Sequence, residues 1–186
     1  MSTKILLKPT RLAGVVEIEP RIFEDDRGIF FESWNRRDFE QAGLRLRFVQ
    51  DNHSRSTRGT LRGLHYQIPR AQGKLVRVTA GRVFDVAVDL RARSPELGRW
   101  VGVWLSADKR NMLWIPPGFA HGFYVESPEA DLLYKCTEFY HPEDDRTIRW
   151  DDPDLGIDWP LHDNTSPLLS EKDAAGSMLA EADLYP

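Results

Sequence analysis

Residues 82–90 alternate cleanly. Phe84, Val86, Val88 and Leu90 fall on one parity, Asp85 and Asp89 on the other. A period of two is the signature of a β-strand with one buried face. Similar apolar runs recur between Gly and Pro punctuation: 74–79, closed by Ala80-Gly81; 100–105, after the turn 94–98; 112–115, before Pro116-Pro117-Gly118; then 122–126 and 132–140. Upstream, 14–23 reads as a strand interrupted by Pro20 and therefore at a sheet edge. Residues 24–28 read as a turn and 29–34 as a strand. A short helix follows, capped by Asn35 and stopped at Gly43, and a further strand begins at 46–50. Residues 141–169, rich in Asp, Pro and Trp, read as a wrapping segment with little regular structure. From Ser170, the sequence up to Asp183 reads as a helix. Many short strands with Gly/Pro turns predict an all-β fold, an antiparallel sandwich or barrel of jelly-roll type with a few short helices, the last C-terminal.

No composition shift or repeat divides the 186 residues, so residues 1–186 are read as one domain with room for a core. A hydrophobic fraction of 41% and a charged fraction of 29% fit a soluble globular chain. The one cysteine, Cys136, allows no internal disulfide and fits a reducing compartment. The run Ile5-Leu6-Leu7 is too short for a signal-peptide core, and no apolar run approaches the roughly 18 residues that span a bilayer. These features read as a cytoplasmic protein. The net charge of -4 argues against a nucleic-acid binder. Residues 52–84 reverse that sign. They contain no Asp or Glu but hold Arg55, Arg58, Arg62, Arg70, Lys74, Arg77 and Arg82, which points to an anion site.

Inside this stretch, His65 can exchange a proton near neutral pH; a hydrogen-bonded barrel histidine is the plainer alternative. Lys74 shares parity with Val76 and Val78. It is either a rim lysine with its charge in water or a group that steadies a developing oxyanion. Tyr134 and Tyr140 share parity along 132–140 and look into one space if that strand is unbroken. A phenol there can give a proton or stack on a ring, though both tyrosines also suit an ordinary barrel wall. Ser170-x-x-Asp173 matches a helix capping box. The same carboxylate could orient a histidine. The spacing Pro116-x-Gly118-x-x-His121 resembles the second signature of the cupin superfamily, although a turn histidine capping backbone groups would fit as well. Metal-binding cupins carry an H-x-H pair and a glutamate earlier in the chain. Here that place reads His65-Tyr66-Gln67, with no acid before Asp85. Two separated histidines make a poor metal set, so no metal is expected.

Several stretches occur together in order: Asp26-Arg-Gly-Ile-Phe-Phe-Glu32, Phe48-Val-Gln-Asp-Asn-His-Ser54, Leu61-Arg-Gly-Leu-His-Tyr-Gln67, Gln72-Gly-Lys-Leu-Val-Arg77, Ile115-Pro-Pro-Gly-Phe-Ala-His-Gly-Phe123, Leu133-Tyr-Lys135 and Leu169-Ser-Glu-Lys-Asp173. Over nearly its whole length the chain resembles the dTDP-4-dehydrorhamnose 3,5-epimerases. The resemblance implies a cupin-type jelly roll, usually a homodimer, that needs no cofactor and epimerises dTDP-4-dehydro-6-deoxy-D-glucose at C3 and C5. It implies His65 as base, Asp173 as its dyad partner, Lys74 beside the C4 oxygen and Tyr134 as acid. It also implies ligand contacts from Arg62, near the diphosphate, and from His121, with Tyr140 stacked on the thymine. Arg27, Glu32, Gln50, Asn52, Asp145 and Lys172 match nucleotide-binding positions, some of them reaching in from a neighbouring subunit. Three alternatives stand beside this reading: an epimerase acting at one carbon only, a non-catalytic nucleotide-sugar-binding cupin, and a metal-dependent cupin oxygenase.

Overall fold

A computed structural model describes residues 4–162 and 165–186. Two antiparallel sheets face each other. The first has six strands: β1 (Ile5–Pro9), β2 (Val16–Pro20), β5 (Gln50–Thr57), β7 (Lys74–Ala80), β10 (Met112–Ile115) and β12 (Glu129–Cys136), in the order β1-β2-β10-β7-β12-β5. The second has five: β6 (Leu61–Gln67), β8 (Arg82–Asp89), β9 (Trp100–Ser106), β11 (Phe119–Val125) and β13 (Asp145–Thr147), in the order β13-β6-β11-β8-β9. A small hairpin, β3 (Phe23–Asp25) with β4 (Gly28–Phe30), stands apart from both. The expected jelly-roll sandwich is what the chain forms.

Between the sheets, Val76, Val78, Leu113 and Leu132 meet Val83, Ala87, Leu105, Phe123 and Val125. Each sheet is also covered outside. Phe39, on helix α1 (Arg36–Gln41), packs with Ile18, Met112 and Trp114 on the first sheet. Ile148, Leu155, Trp159 and Tyr185 of the C-terminal wrap cover Leu64, Val86, Val88 and Tyr124 on the second.

That double cover corrects the reading of 82–90 as half-buried. Phe84, Val86 and Val88 pack under the wrap, Val83 and Ala87 fill the interior, and Asp85 and Asp89 are fully buried. Both carboxylates keep partners, as buried charges must: Asp89 takes Arg91 and Ser94, and Asp85 takes His121. The early strand is not at the edge either. β2 lies between β1 and β10, and Pro20 closes it opposite Ile5. β4 stops at Phe30, and β5 starts only at Gln50.

Helix α1 forms as its caps dictate. Asn35 accepts from the Arg37 N–H, and Gly43 takes φ +97° just past the end. The C-terminal helix is far shorter than expected: α2 spans only Glu171–Ala174. Gly176 then passes against the backbone of Ile148 and Arg149, where a Cβ would sit 2.9 Å from main-chain atoms, and Ser177 bridges to Ile148. Backbone pairing to the sheet outcompetes helix propensity there.

Candidate functional site

A cavity of about 290 Å³ opens between the sheets. β5 lines it with Gln50 and Asn52, β6 with His65, Tyr66 and Gln67, β7 with Lys74, and β12 with Tyr134; Gln72, Tyr140, Asp145 and Lys172 complete the wall. Eight residues singled out in the sequence thus meet in one space: Gln50, Asn52, His65, Lys74, Tyr134, Tyr140, Asp145 and Lys172. Asp173 stands directly behind them.

His65 Nε2 lies 2.5 Å from Asp173 Oδ1. The carboxylate is itself held in place. Its other oxygen accepts from the Ser170 hydroxyl at 2.7 Å, and the Gly63 N–H approaches Oδ1 at 3.4 Å. The Asp173 N–H donates to Ser170 Oγ at 3.1 Å, so Ser170 caps α2. Both readings of Asp173 therefore hold together: it sits in a capped helix turn, and its carboxylate faces His65. Burial drives the His65 pKa down, and Asp173 pulls it back up only in part, so it lies below the ordinary histidine value. Asp173 is pushed up by burial, but the bonds to His65 and Ser170 outweigh this and keep it below the usual carboxylate range. A neutral imidazole that donates to Asp173 leaves its other ring nitrogen free to accept a proton.

Lys74 is not a rim lysine. It is 8% exposed, and its Nζ lies 3.4 Å from the His65 carbonyl oxygen. Burial lowers its pKa, opposed by the nearby Cys136, Asp145 and Asp85. Tyr134, on the neighbouring strand β12 of the same sheet, is pushed up to about 12 by burial, with Arg62 pulling the other way. Its phenol is therefore protonated throughout the neutral range.

Tyr140 reaches the cavity by a route that parity did not predict. β12 ends at Cys136, so Tyr134 and Tyr140 do not share a strand. Tyr140 sits on the following loop, where its N–H donates to Gln50 Oε1 at 2.9 Å. Its hydroxyl donates to Asp145 Oδ2 at 2.8 Å, an oxygen that also takes the Lys172 ammonium. Gln50 Nε2 in turn donates to Asn52 Oδ1 at 3.1 Å.

Other candidates lie outside this wall. Arg62 is exposed, its Nε on Ser56 Oγ at 3.0 Å. His121 pairs across the ladder with His65, but its side chain is 7% exposed and its Nε2 lies 3.0 Å from both Asp85 oxygens. Arg27 is ion-paired to Asp25 on the β3–β4 hairpin. Glu32 follows that hairpin and holds Lys4 at 2.7 Å. The basic stretch does not converge as a whole. Arg55 binds Asp131, Arg70 binds Glu143 and Asp144, and Arg82 lies over Trp104; only Lys74 of the seven lines the cavity. Among the described residues no group of three or more His, Cys, Asp and Glu side chains is arranged to hold a metal ion.

Asp85 was visible in the sequence only as the polar side of an alternating strand, with nothing to mark it as the partner of His121. Tyr66 and Gln72 carried no chemical signal of their own. A larger groove of about 680 Å³ lies between Arg11, Trp100 and Leu179, but it gathers no histidine, lysine, tyrosine or cysteine. It therefore lacks the acid–base set that the smaller cavity holds.

The sequence profile of the dTDP-4-dehydrorhamnose 3,5-epimerase family matches residues 9–181. The chain is 62% identical over 183 residues to the dTDP-4-dehydrorhamnose 3,5-epimerase of Pseudomonas aeruginosa, covering 97% of this chain and all of the relative. It superposes with a TM-score of 0.92 on a crystal structure from Legionella pneumophila, described as a dTDP-6-deoxy-D-glucose-3,5-epimerase in complex with dTDP-4-keto-L-rhamnose. Identity there is 52%, covering 96% of this chain and 95% of the other. A 3'-monoepimerase from Streptomyces bikiniensis, in complex with dTDP-quinovose, is more distant: TM-score 0.86 and 37% identity, covering 92% of this chain and 87% of that one.

Proposed function

The chain belongs to the dTDP-4-dehydrorhamnose 3,5-epimerase family, and on that premise we propose how its cavity carries out the reaction. The protein is an isomerase. It converts dTDP-4-dehydro-6-deoxy-D-glucose to dTDP-4-dehydro-L-rhamnose by inverting C3 and C5, a step of dTDP-L-rhamnose biosynthesis. One epimerase domain, residues 1–186, carries the activity.

The C4 ketone acidifies the hydrogens on both neighbouring carbons. His65 takes one of them, and the C–H electron pair moves into an enolate whose charge rests on the C4 oxygen. Lys74 stabilises that oxygen in a site that excludes much of the water. Tyr134 then returns a proton to the opposite face of the carbon, which leaves an imidazolium and a phenolate. Solvent takes the proton from His65 and returns one to Tyr134, and the same sequence runs at the second carbon. Asp173 orients His65 and favours its protonated form at the moment it accepts. Every proton and electron pair is accounted for without a redox partner. The observation that carries this reading is the pair of half-buried His65 with buried Asp173 behind it, with His65 facing the cavity that Lys74 and Tyr134 also line.

The nucleotide occupies the outer part of the cavity. Tyr140 stacks on the thymine, while Gln50, Asn52, Asp145 and Lys172 bind around it. Arg62 grips the diphosphate, and His121, held by Asp85, contacts the ligand from the inner side. Arg27 and Glu32 act in the cavity of a second copy, which makes the working form a homodimer. In support, their hairpin leaves Phe23 45%, Ile29 44% and Phe30 67% exposed, an apolar surface suited to a partner. No helix among the described residues is long and apolar enough to cross a membrane. We place the enzyme in the cytoplasm, a reducing compartment that suits the free, buried thiol of Cys136.

The test is product identity. Incubation with dTDP-4-dehydro-6-deoxy-D-glucose should give a sugar inverted at both C3 and C5, read from its proton coupling constants. A product inverted at one carbon would instead make the protein a single-site epimerase, and an unchanged sugar would make it a binding protein.

A further inference from the structure

Gln67 lies two residues after His65 on β6 and is 2% exposed. Its carboxamide is committed at both ends. Nε2 donates to the carbonyl oxygens of Arg70 at 2.9 Å and Phe139 at 3.1 Å, and Oε1 accepts from the His141 N–H at 2.8 Å. Two of these bonds fall on the residues immediately before and after Tyr140. The Tyr140 N–H itself goes to Gln50 Oε1 at 2.9 Å. Two side-chain amides, one from each sheet, therefore hold three consecutive residues, 139–141, of a segment that has left β12 and has not yet reached β13.

That segment has no ladder to fix its path, so its backbone is held by these bonds together with the Gln72 Nε2 bond to the Glu138 carbonyl, while the Tyr140 hydroxyl is tied separately to Asp145. The requirement on the side chain is specific. It must donate to two carbonyls and accept one N–H from a buried position. A carboxamide can do this, whereas a carboxylate has no donor and a thioether has no donor and only a weak acceptor. Position 67 is also where the H-x-H pattern of metal-binding cupins would place a second histidine.

We infer that Gln67 is a positioning residue for nucleotide recognition. It acts through the 139–141 loop and sets the backbone from which the Tyr140 ring, tied at its hydroxyl to Asp145, reaches the base. The inference rests on the reading of Tyr140 as the stacking residue. It predicts a loss in nucleotide affinity and not in chemistry, because neither His65 nor Lys74 bonds to the Gln67 side chain.

The test measures dTDP affinity by calorimetry together with KM and kcat for the sugar nucleotide. The proteins are wild type, Gln67→Glu, Tyr140→Ala and the double variant. Gln67→Glu should weaken dTDP binding about tenfold, as expected for lost buried hydrogen bonds, and raise KM in step. Its kcat should stay within about threefold of wild type, since the substitution removes binding shared by ground and transition states. In the Tyr140→Ala background the same substitution should cost less than about twofold, because the two residues act as one unit. Gln67→Met removes the donors without adding a charge and should show the same split, which keeps the test open if the glutamate variant does not fold. Unchanged dTDP affinity in the folded variants would overturn the inference, as would losses that simply multiply in the double variant, or a fall in kcat at constant KM. If Tyr140→Ala alone leaves dTDP binding intact, the stacking reading fails and takes the inference with it; the other outcomes overturn the inference alone.

Discussion

The run from Asn52 to Phe84 uses its cations in opposite ways on the two sides of the strands. On the outside, the Arg55 side chain is 67% exposed and forks onto Asp131, and Arg70 reaches Glu143 and Asp144. The guanidinium ends of these pairs stand in water while Asp131 and Asp144 lie under them, and a pair with one end solvated contributes little to stability. On the inside, Lys74 is 8% exposed, and its ammonium meets a carbonyl oxygen rather than a carboxylate. A buried cation without a counter-ion costs free energy. It persists most reasonably where a negative charge forms during a reaction. Charge density along a sequence therefore marks neither face as the site; desolvation beside an acid–base pair does.

The contrast can be broken by substitution, starting on the inner face. His65→Ala should lower kcat by about a thousandfold or more, the scale of general base catalysis, while dTDP binding stays within about threefold. Normal turnover in that variant would remove His65 from the mechanism. Lys74→Met should cost about a hundredfold in kcat, comparable to losing one oxyanion donor. A change in KM alone would reduce Lys74 to a binding group.

Asp173→Asn should also lower kcat, by about tenfold to a hundredfold, and its pH profile carries a sign. In the wild type, burial outweighs Asp173 and leaves His65 below its ordinary value. The acid limb of kcat/KM should therefore fall below about pH 6.5, the free-histidine reference. Asparagine removes the group that raises the His65 pKa, so the limb should move to still lower pH as the plateau drops. A limb that moves upward would contradict the dyad. The smallest effect belongs to the outer face. Arg55→Ala should leave turnover within about twofold and move the midpoint of a denaturant melt only slightly, because Asp131 keeps His53 as a partner. A large loss of activity there would erase the distinction between the two faces.

The same contrast shows what a sequence reveals. Period-two runs and Gly/Pro turns found the strands at 74–80 and 82–89, and the Asn35 cap found α1, because these signals are local. Matching motifs found eight of the cavity-lining residues. The direction in which Asp85 points was not legible. Alternation separates two faces of a strand but cannot say that both are covered, which here depends on the distant residues Ile148, Trp159 and Tyr185. Tyr140 was placed in the right space for the wrong reason, since side-chain amides and not strand parity bring it there. The long C-terminal helix failed because Gly176 is held against residues almost thirty positions earlier, a contact that no local window contains.

The most direct test of the acid–base assignment is proton NMR of dTDP-4-dehydro-6-deoxy-D-glucose with the protein in D2O, run for the wild type and for Tyr134→Phe. The wild type should lose both the C3 and C5 proton signals while the sugar inverts. Tyr134→Phe should still exchange protons, but invert much more slowly, because the base remains and the opposing acid is gone. Exchange and inversion lost in equal measure would contradict Tyr134 as the acid. A wild type that binds the nucleotide sugar yet exchanges neither proton would contradict the catalytic account as a whole.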